Sequence, residues 1–184
     1  MPRIIAGTHK GMNLYTPAGT KSRPTSDRAK EALFSIIGDA IEGARVLDIF
    51  AGSGQIAFEA LSRGALHATL IERDSDALVS IRKNIAKTGW SGRVSLLPGD
   101  FRRVLSMLKS RGEKFDFIYI DPPWIKSDEY IRYLMNPIPD ILTLEGLLVI
   151  ESESGTAVPD WQDARLKRVR SCQYGISVLS FYQM

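Results

Sequence analysis

The chain has little of what disulfide-rich and membrane-spanning proteins need. Cys172 is its only cysteine among 184 residues, so no disulfide can form within the chain and a catalytic cysteine is disfavoured. No run of 18 apolar residues occurs, which argues against a transmembrane helix, and the apolar stretch at the N-terminus is too short for a signal peptide. We therefore expect a cytoplasmic protein without a membrane partner, and we predict no metal site.

The composition of the chain is typical of one globular domain, with 44% hydrophobic and 24% charged residues. The charge is unevenly placed, because residues 1–30 carry six basic residues against one acidic residue, whereas the whole chain has a net charge of only +3. Such a basic arm favours a nucleic-acid partner, the alternative being a solvated arm without one. We divide the chain into a basic hairpin or arm, 1–22, and a domain, 23–184. A second basic cluster, 165–170, is interpreted as the polar face of a strand.

Strand-like and helix-like segments alternate along most of the chain. The predicted strands are 45–50, 68–72, 93–97, 115–120 and 147–150, with amphipathic helical patterns between them. This alternation predicts parallel strands joined by right-handed crossovers, and hence a three-layer α/β/α, Rossmann-like fold. After residue 160 the rule breaks, because 164–169 and 174–182 are strand-like and no helix separates them. They predict an antiparallel pair at the edge of the sheet, turning around Gly175.

Carboxylates follow four successive predicted strands, at or just beyond the end of each. They are Asp48, Glu72, Asp100 and Asp121. In an open parallel sheet the ligand lies beyond the carboxyl ends of the strands, so these side chains are expected to surround one site. A single aspartate after a strand is usually a helix cap or a turn former, but four in succession are harder to explain in that way.

The loop after the first strand predicts a nucleoside-containing cofactor. Gly52 and Gly54 let the backbone approach a ligand, and Glu72 ends the next strand, where a carboxylate can accept both hydroxyls of a ribose. Asp48 favours S-adenosylmethionine over a dinucleotide, because its charge would repel a pyrophosphate but attract the ammonium and sulfonium groups of S-adenosylmethionine. Asp100 and its aromatic neighbour are expected to meet adenine. The predicted cofactor-binding residues are Asp48, Phe50, Gly52, Gly54, Glu72, Arg73, Asp100 and Phe101.

The tetrapeptide Asp121-Pro122-Pro123-Trp124 is the most specific motif in the chain. Each proline removes an amide donor and extends the residue before it, so the directions of the carbonyl groups are restricted. The Asp121 carboxylate and the Pro122 carbonyl can accept both N–H bonds of an exocyclic base amine. Trp124 can stack on the base and orient the amine towards a methyl donor. We predict Asp121, Pro122 and Trp124 as the catalytic residues.

These motifs resemble those of the class I S-adenosylmethionine-dependent amino-methyltransferases. Further segments are similar to the bacterial 16S ribosomal RNA guanine-N2 methyltransferase family: 3–7, Gly11, 23–25 with Arg28, 31–34 and 59–65. The resemblance implies a seven-stranded sheet, a basic N-terminal extension that holds ribosomal RNA, and methylation of one guanine of the small subunit or its precursor. The expected RNA-binding residues are Arg3, Lys10, Arg23, Arg28 and Pro123. We expect the protein to act as a monomer.

Three other functions stay open from the residues alone. An adenine-N6 methyltransferase of DNA or RNA would use the same motif, because the Asp121 carboxylate and the Pro122 carbonyl suit any planar amine. A nicotinamide-dependent oxidoreductase would explain the loop and Glu72, but it gives Asp48 no role. An RNA-binding module without catalysis is disfavoured, because the set of acceptors is complete.

Overall fold

The computed structural model describes residues 2–17, 26–123, 127–156, 158 and 165–184, which form a three-layer α/β/α domain. The strands are β1 (Arg45–Ile49), β2 (His67–Glu72), β3 (Val94–Pro98), β4 (Phe115–Ile120), β5 (Leu142–Glu153), β6 (Lys167–Tyr174) and β7 (Ser177–Gln183). The helices are α1 (Asp27–Ile37), α2 (Gln55–Ser62), α3 (Ser75–Thr88), α4 (Phe101–Ser110), α5 (Ser127–Leu134) and α6 (Ile138–Ile141). The predicted fold class is confirmed.

The seven strands form one sheet in the order β3-β2-β1-β4-β5-β7-β6. The first five are parallel to one another, whereas β7 runs antiparallel to both β5 and β6. The chain order of the strands reverses between β1 and β4. That junction is where sheets of this type bind ligands, because the connections leave in opposite directions and open a crevice.

Two apolar clusters cover the two faces of the sheet. One contains buried residues of α1, α2 and α3 together with Ile4 and Leu14 from the N-terminal segment 2–17. The other contains buried residues of α4, α5 and α6. Segment 2–17, which we call the arm, is therefore anchored by its own apolar residues. Among the described residues, no helix is long and apolar enough to span a membrane.

Local sequence signals account for several helix boundaries. The Ser26 hydroxyl accepts from the Ala29 amide at 3.1 Å and caps α1, a position where serine is preferred. Gly89 ends α3 with a φ of 73°, a left-handed conformation that glycine adopts without steric cost. Helical character also breaks near Pro137, which separates α5 from α6.

Three strands differ from their predicted ranges by more than one residue, and one of them is β7, which begins at Ser177 rather than at 174. β5 begins before and ends after the predicted 147–150, because Leu142 already pairs with Phe115 of β4 and the polar residues 151–153 still pair with β7. β6 begins at Lys167 and continues to Tyr174, so the prediction of 164–169 was displaced towards the N-terminus. The reason is the two-residue turn Gly175–Ile176, which lets Tyr174 pair directly with Ser177. The predicted boundary between residues 22 and 23 lies outside the described residues.

Candidate active site

The carboxyl ends of β1 and β4 bring two of the predicted carboxylates together. Asp48 lies opposite Tyr119 in the register, and Asp121 follows β4 directly. Asp48 is buried, and its Oδ2 accepts from the Ala57 amide at 3.3 Å. Burial raises the pKa of Asp48 to about 7, opposed by the Ala57 hydrogen bond and reinforced by the negative charge of Glu72. No cation of the described residues is among the groups that shift the pKa of Asp48.

The second carboxylate is in a similar environment. Burial raises the pKa of Asp121 well above its usual value, and the negative charges of Glu151 and Asp48 raise it further. Ile120 and Ile150 are partners in the register of β4 and β5, so Asp121 and Glu151 follow at the same level of the sheet. The half-buried Asp121 beside the buried Asp48 and Glu151 favours a ligand that carries positive charge.

The loop between β1 and α2 has an unusual backbone conformation. Phe50, Gly52 and Gly54 have φ values of 67°, 58° and 77°, a region that residues with side chains rarely adopt. A Cβ on Gly54 would lie 2.7 Å from the Phe58 ring and 2.9 Å from Leu70, so only glycine fits there. A Cβ on Gly52 would meet no atom within 4 Å. The loop is therefore packed against the domain at Gly54 and open at Gly52.

Glu72 connects this loop to the end of β2. Its Oε2 accepts from the Gly52 amide at 2.8 Å, and its Oε1 accepts from the amides of Arg73 and Asp74 at 2.7 and 2.9 Å. The carboxylate thus lies beside the open side of the loop, which is where a ribose would be expected. Arg73 is exposed at the same edge.

Asp100 and Phe101 begin α4 and lie beside the same loop. The Asp100 carboxylate accepts from the Arg102 amide at 2.9 Å, so it serves as the helix cap, and Phe101 is buried. The Phe101 ring contacts Phe50 and Tyr130 at centroid distances of 4.8 and 5.0 Å. Their predicted contact with adenine stays a prediction.

The tetrapeptide that carries the predicted catalytic residues leaves β4 at the centre of this edge. Pro122 is buried and Pro123 is exposed, while Trp124 lies outside the described residues. The Asp121 amide donates to the Ile49 carbonyl of β1 at 3.4 Å. This contact holds the start of the tetrapeptide beside the loop between β1 and α2, which we call the cofactor loop because the sequence predicts cofactor binding there.

The predicted RNA-binding cations are on the surface. Arg3, Lys10 and Arg28 are exposed, and Arg23 lies outside the described residues. Arg3 pairs with Asp27 at 3.1 Å, whereas Lys10 and Arg28 form no ion pair with any described residue.

Comparison with known proteins identifies the family. A family model described as "Conserved hypothetical protein 95" matches residues 2–183. The chain belongs to this family. It is 33% identical over 183 residues to "Putative rRNA methyltransferase YlbH" of Bacillus subtilis, covering 98% of each chain. It is also 36% identical over 163 residues to "Ribosomal RNA small subunit methyltransferase D" of Escherichia coli, covering 85% of this chain and 77% of the relative. The resemblance seen in the motifs is thereby confirmed.

Solved structures of similar proteins agree with this membership. The "Putative methyltransferase yhhF" of Escherichia coli superposes with a TM-score of 0.84 at 34% identity, covering 99% of this chain and 97% of the other. A more distant structure has the same fold, with a TM-score of 0.69 at 15% identity over 86% of this chain and 50% of the other. Its description names a methyltransferase complexed with SAH.

The site fits the cofactor that this family and fold imply. Asp48 and Asp121 offer uncompensated negative charge for a cationic group, Gly52 leaves space beside the loop, and Glu72 offers acceptor oxygens for ribose hydroxyls. The buried carboxylate of Asp48, just before this loop, would repel a pyrophosphate. The chemistry of the side chains therefore favours S-adenosylmethionine over a dinucleotide.

Two functional candidates escaped the sequence reasoning. Glu151 is buried beside Asp121, and it accepts a hydrogen bond from the Tyr119 hydroxyl, which is also buried. Glu151 directly follows the predicted strand 147–150, so the rule used for the other carboxylates would have found it had it been applied to that strand too. Tyr130 of α5 gave no such signal, because its contact with Phe50 arises only from the packing of distant segments.

The arm is attached through a second buried group of charges. Both Lys30 and Glu59 are fully buried, 3.9 Å apart, and burial lowers the pKa of Lys30. The Glu59 carboxylate accepts from the amides of Ile5 and Ala6 at 2.7 and 3.1 Å, and Lys30 donates to the Arg3 carbonyl. These bonds tie the arm to α1 and α2, so cations on the arm are held in place relative to the domain.

Proposed function

We propose that this protein transfers a methyl group from S-adenosylmethionine to the exocyclic N2 amine of a guanine in small-subunit ribosomal RNA. The observation that carries the proposal is the placement of Asp121 and Pro122 beside Asp48 and the loop that contains Gly52, at the junction of β1 and β4. Relatives of the chain that are named as ribosomal RNA methyltransferases support the same reaction. S-adenosylmethionine is the methyl donor. When bound, it supplies an electrophilic methyl group on a positively charged sulfur.

In this proposal the protein holds the two reactants in line rather than forming a covalent intermediate. Asp48 attracts the cationic end of the cofactor, and Glu72 accepts from the ribose. The Asp121 carboxylate and the Pro122 carbonyl accept the two N–H bonds of the amine, which leaves its lone pair directed at the methyl group. Trp124 stacks on the base.

Methyl transfer leaves a proton to be removed. The nitrogen lone pair forms the N–C bond, the C–S electron pair stays on sulfur, and the amine becomes positively charged until it loses a proton. Because the pKa of Asp121 is raised, this carboxylate can accept that proton more readily than an ordinary aspartate. We assign Asp121 this second role.

Ribosomal RNA is the proposed partner, held by the basic N-terminal region 1–22 together with Arg28. Arg3 and Lys10 of the arm and Arg28 of α1 are exposed, so they can contact phosphates. The fixed attachment of the arm at Glu59 supports this role, because cations held in place bind without further ordering. We propose that the protein acts as a monomer in the cytoplasm, on the small subunit or its precursor.

Mass mapping of 16S ribosomal RNA from a deletion strain tests the proposal directly. We expect one guanine to lack its methyl group and purified protein with labelled cofactor to restore it on small subunits from that strain. Label on adenine would instead support the adenine-N6 alternative, and label on neither base would refute both. Asp121→Ala should abolish transfer while S-adenosylhomocysteine still binds. Unchanged turnover in that variant would contradict the role of Asp121.

A further inference from the structure

An aromatic ring between two ammonium groups lies on the surface where the arm meets α3. Tyr15 is 47% exposed, and the Nζ atoms of Lys83 and Lys87 lie 5.8 and 5.2 Å from its ring centroid. Both lysines are exposed, and they are one helical turn apart on α3, so they lie on one side of the helix. We call these three residues the Tyr15 platform.

The positive charge of the platform is not neutralised within the described part of the chain. Neither Lys83 nor Lys87 forms an ion pair there, although seven other cations do. Lys87 donates instead to the Asn13 carbonyl of the arm at 2.7 Å. The two ammonium groups therefore remain available to an anionic partner, and one of them is already positioned.

The backbone of Tyr15 is fixed by a buried asparagine. Asn84 of α3 is fully buried; its Oδ1 accepts from the Tyr15 amide at 2.8 Å, and its Nδ2 donates to the Tyr15 carbonyl at 3.0 Å. The same nitrogen donates to the Ser53 carbonyl at 3.0 Å. The carbonyl oxygens of Tyr15 and Ser53 are each 3.0 Å from Asn84 Nδ2, so they lie within about 6 Å of each other. The platform is thus beside the cofactor loop.

We propose that Tyr15, Lys83 and Lys87 form a docking site for a nucleotide of the RNA that flanks the target base. A base would stack on the Tyr15 ring, and the adjoining phosphates would contact the two lysines. Charge and aromatic surface occur together here, which suits a nucleotide better than an apolar protein segment. The inference deepens the proposed function and rests on it for the identity of the RNA.

Charge reversal at one lysine, compared with a matched control, tests the site. Lys83→Glu should raise the KM for small subunits from the deletion strain about tenfold, leave kcat and the affinity for S-adenosylhomocysteine unchanged, and lower the slope of binding against salt by about 1. Lys114→Glu is the control. Lys114 is exposed just before β4, at the amino end of that strand and away from the carboxyl ends that form the candidate site. It forms no ion pair with a described residue.

Substitutions at Tyr15 separate stacking from structure. Tyr15→Ala should weaken binding to 16S ribosomal RNA about tenfold, whereas Tyr15→Phe, which keeps the ring, should bind as the wild type does. Binding is measured by fluorescence anisotropy without cofactor, and thermal unfolding checks that each variant is folded.

The proposal is overturned if Lys83→Glu and Tyr15→Ala weaken RNA binding no more than Lys114→Glu. It is also overturned if Tyr15→Phe binds RNA as weakly as Tyr15→Ala, because stacking on the ring would then play no part. The direct binding assay keeps this result separate from the proposed function. A wild type that binds RNA through the platform but methylates no guanine would contradict only the proposed reaction.

Discussion

Replacing Asp48 by asparagine would remove an unfavourable charge from the free protein. Burial raises the pKa of Asp48 from 3.8 to about 7, and the charge of Glu72 contributes in the same direction. One pKa unit corresponds to about 1.4 kcal/mol, so ionised Asp48 costs the folded state roughly 4 kcal/mol relative to the unfolded chain. Asparagine has the same shape, and its oxygen can still accept from the Ala57 amide, now 3.3 Å from Oδ2.

The direction of the pH dependence follows from the raised pKa. The folded protein binds a proton at Asp48 more tightly than the unfolded chain does. The contribution of this group to stability is therefore fully present below about pH 4 and is lost as the pH rises through about 7. At about pH 8 we expect Asp48→Asn to be more stable than the wild type by up to about 4 kcal/mol, and the difference should shrink towards pH 4.

Urea unfolding at several pH values, with calorimetric titration of S-adenosylmethionine, measures both effects. The variant should gain stability and lose cofactor affinity, since the charge that destabilises the free protein is the one that attracts the cation. Glu153→Gln, an exposed carboxylate at the end of β5, is the control and should change neither quantity. If Asp48→Asn is less stable than the wild type at about pH 8, or binds the cofactor equally well, the electrostatic account of this site is wrong.

Three further predictions concern the same loop. Binding of S-adenosylmethionine should release a proton from Asp48 at about pH 6, because burial raises the pKa of this group to about 7. S-adenosylhomocysteine, whose sulfur is neutral, should release less; titrations in buffers of different ionisation enthalpy would contradict this if the two ligands agreed. Gly54→Ala should cost about 2–3 kcal/mol in thermal unfolding, because its Cβ would meet Phe58 at 2.7 Å. Asn84→Asp should lower the free energy of unfolding by about 2 kcal/mol or more, because a carboxylate would replace the amide that donates to two carbonyl oxygens. A variant as stable as the wild type would show that Asn84 does not link the arm to the loop between β1 and α2.

Local patterns in the sequence were sufficient to predict the fold and part of the candidate site. The alternation of strand and helix requires parallel strands with crossovers, and the carboxyl ends of such strands meet at one edge whatever their exact bounds. This is why Asp48, Glu72 and Asp121 could be grouped without a structure. The Gly52 loop and the two prolines after Asp121 carry conformational restrictions that are properties of those residues themselves.

Only the tertiary structure reveals the contacts between segments that are distant in the chain. Asn84 is 69 residues from Tyr15, and Glu151 is 32 residues from Tyr119, yet the two members of each pair are hydrogen-bonded in the folded chain. No periodicity or spacing encodes these pairs, because they depend on how helices and strands pack rather than on how each forms. Sequence alone determined which chemistry the strand ends can perform. Packing decided how strongly the carboxylates are desolvated and how the arm is joined to the cofactor loop, since burial and distance exist only in the folded chain.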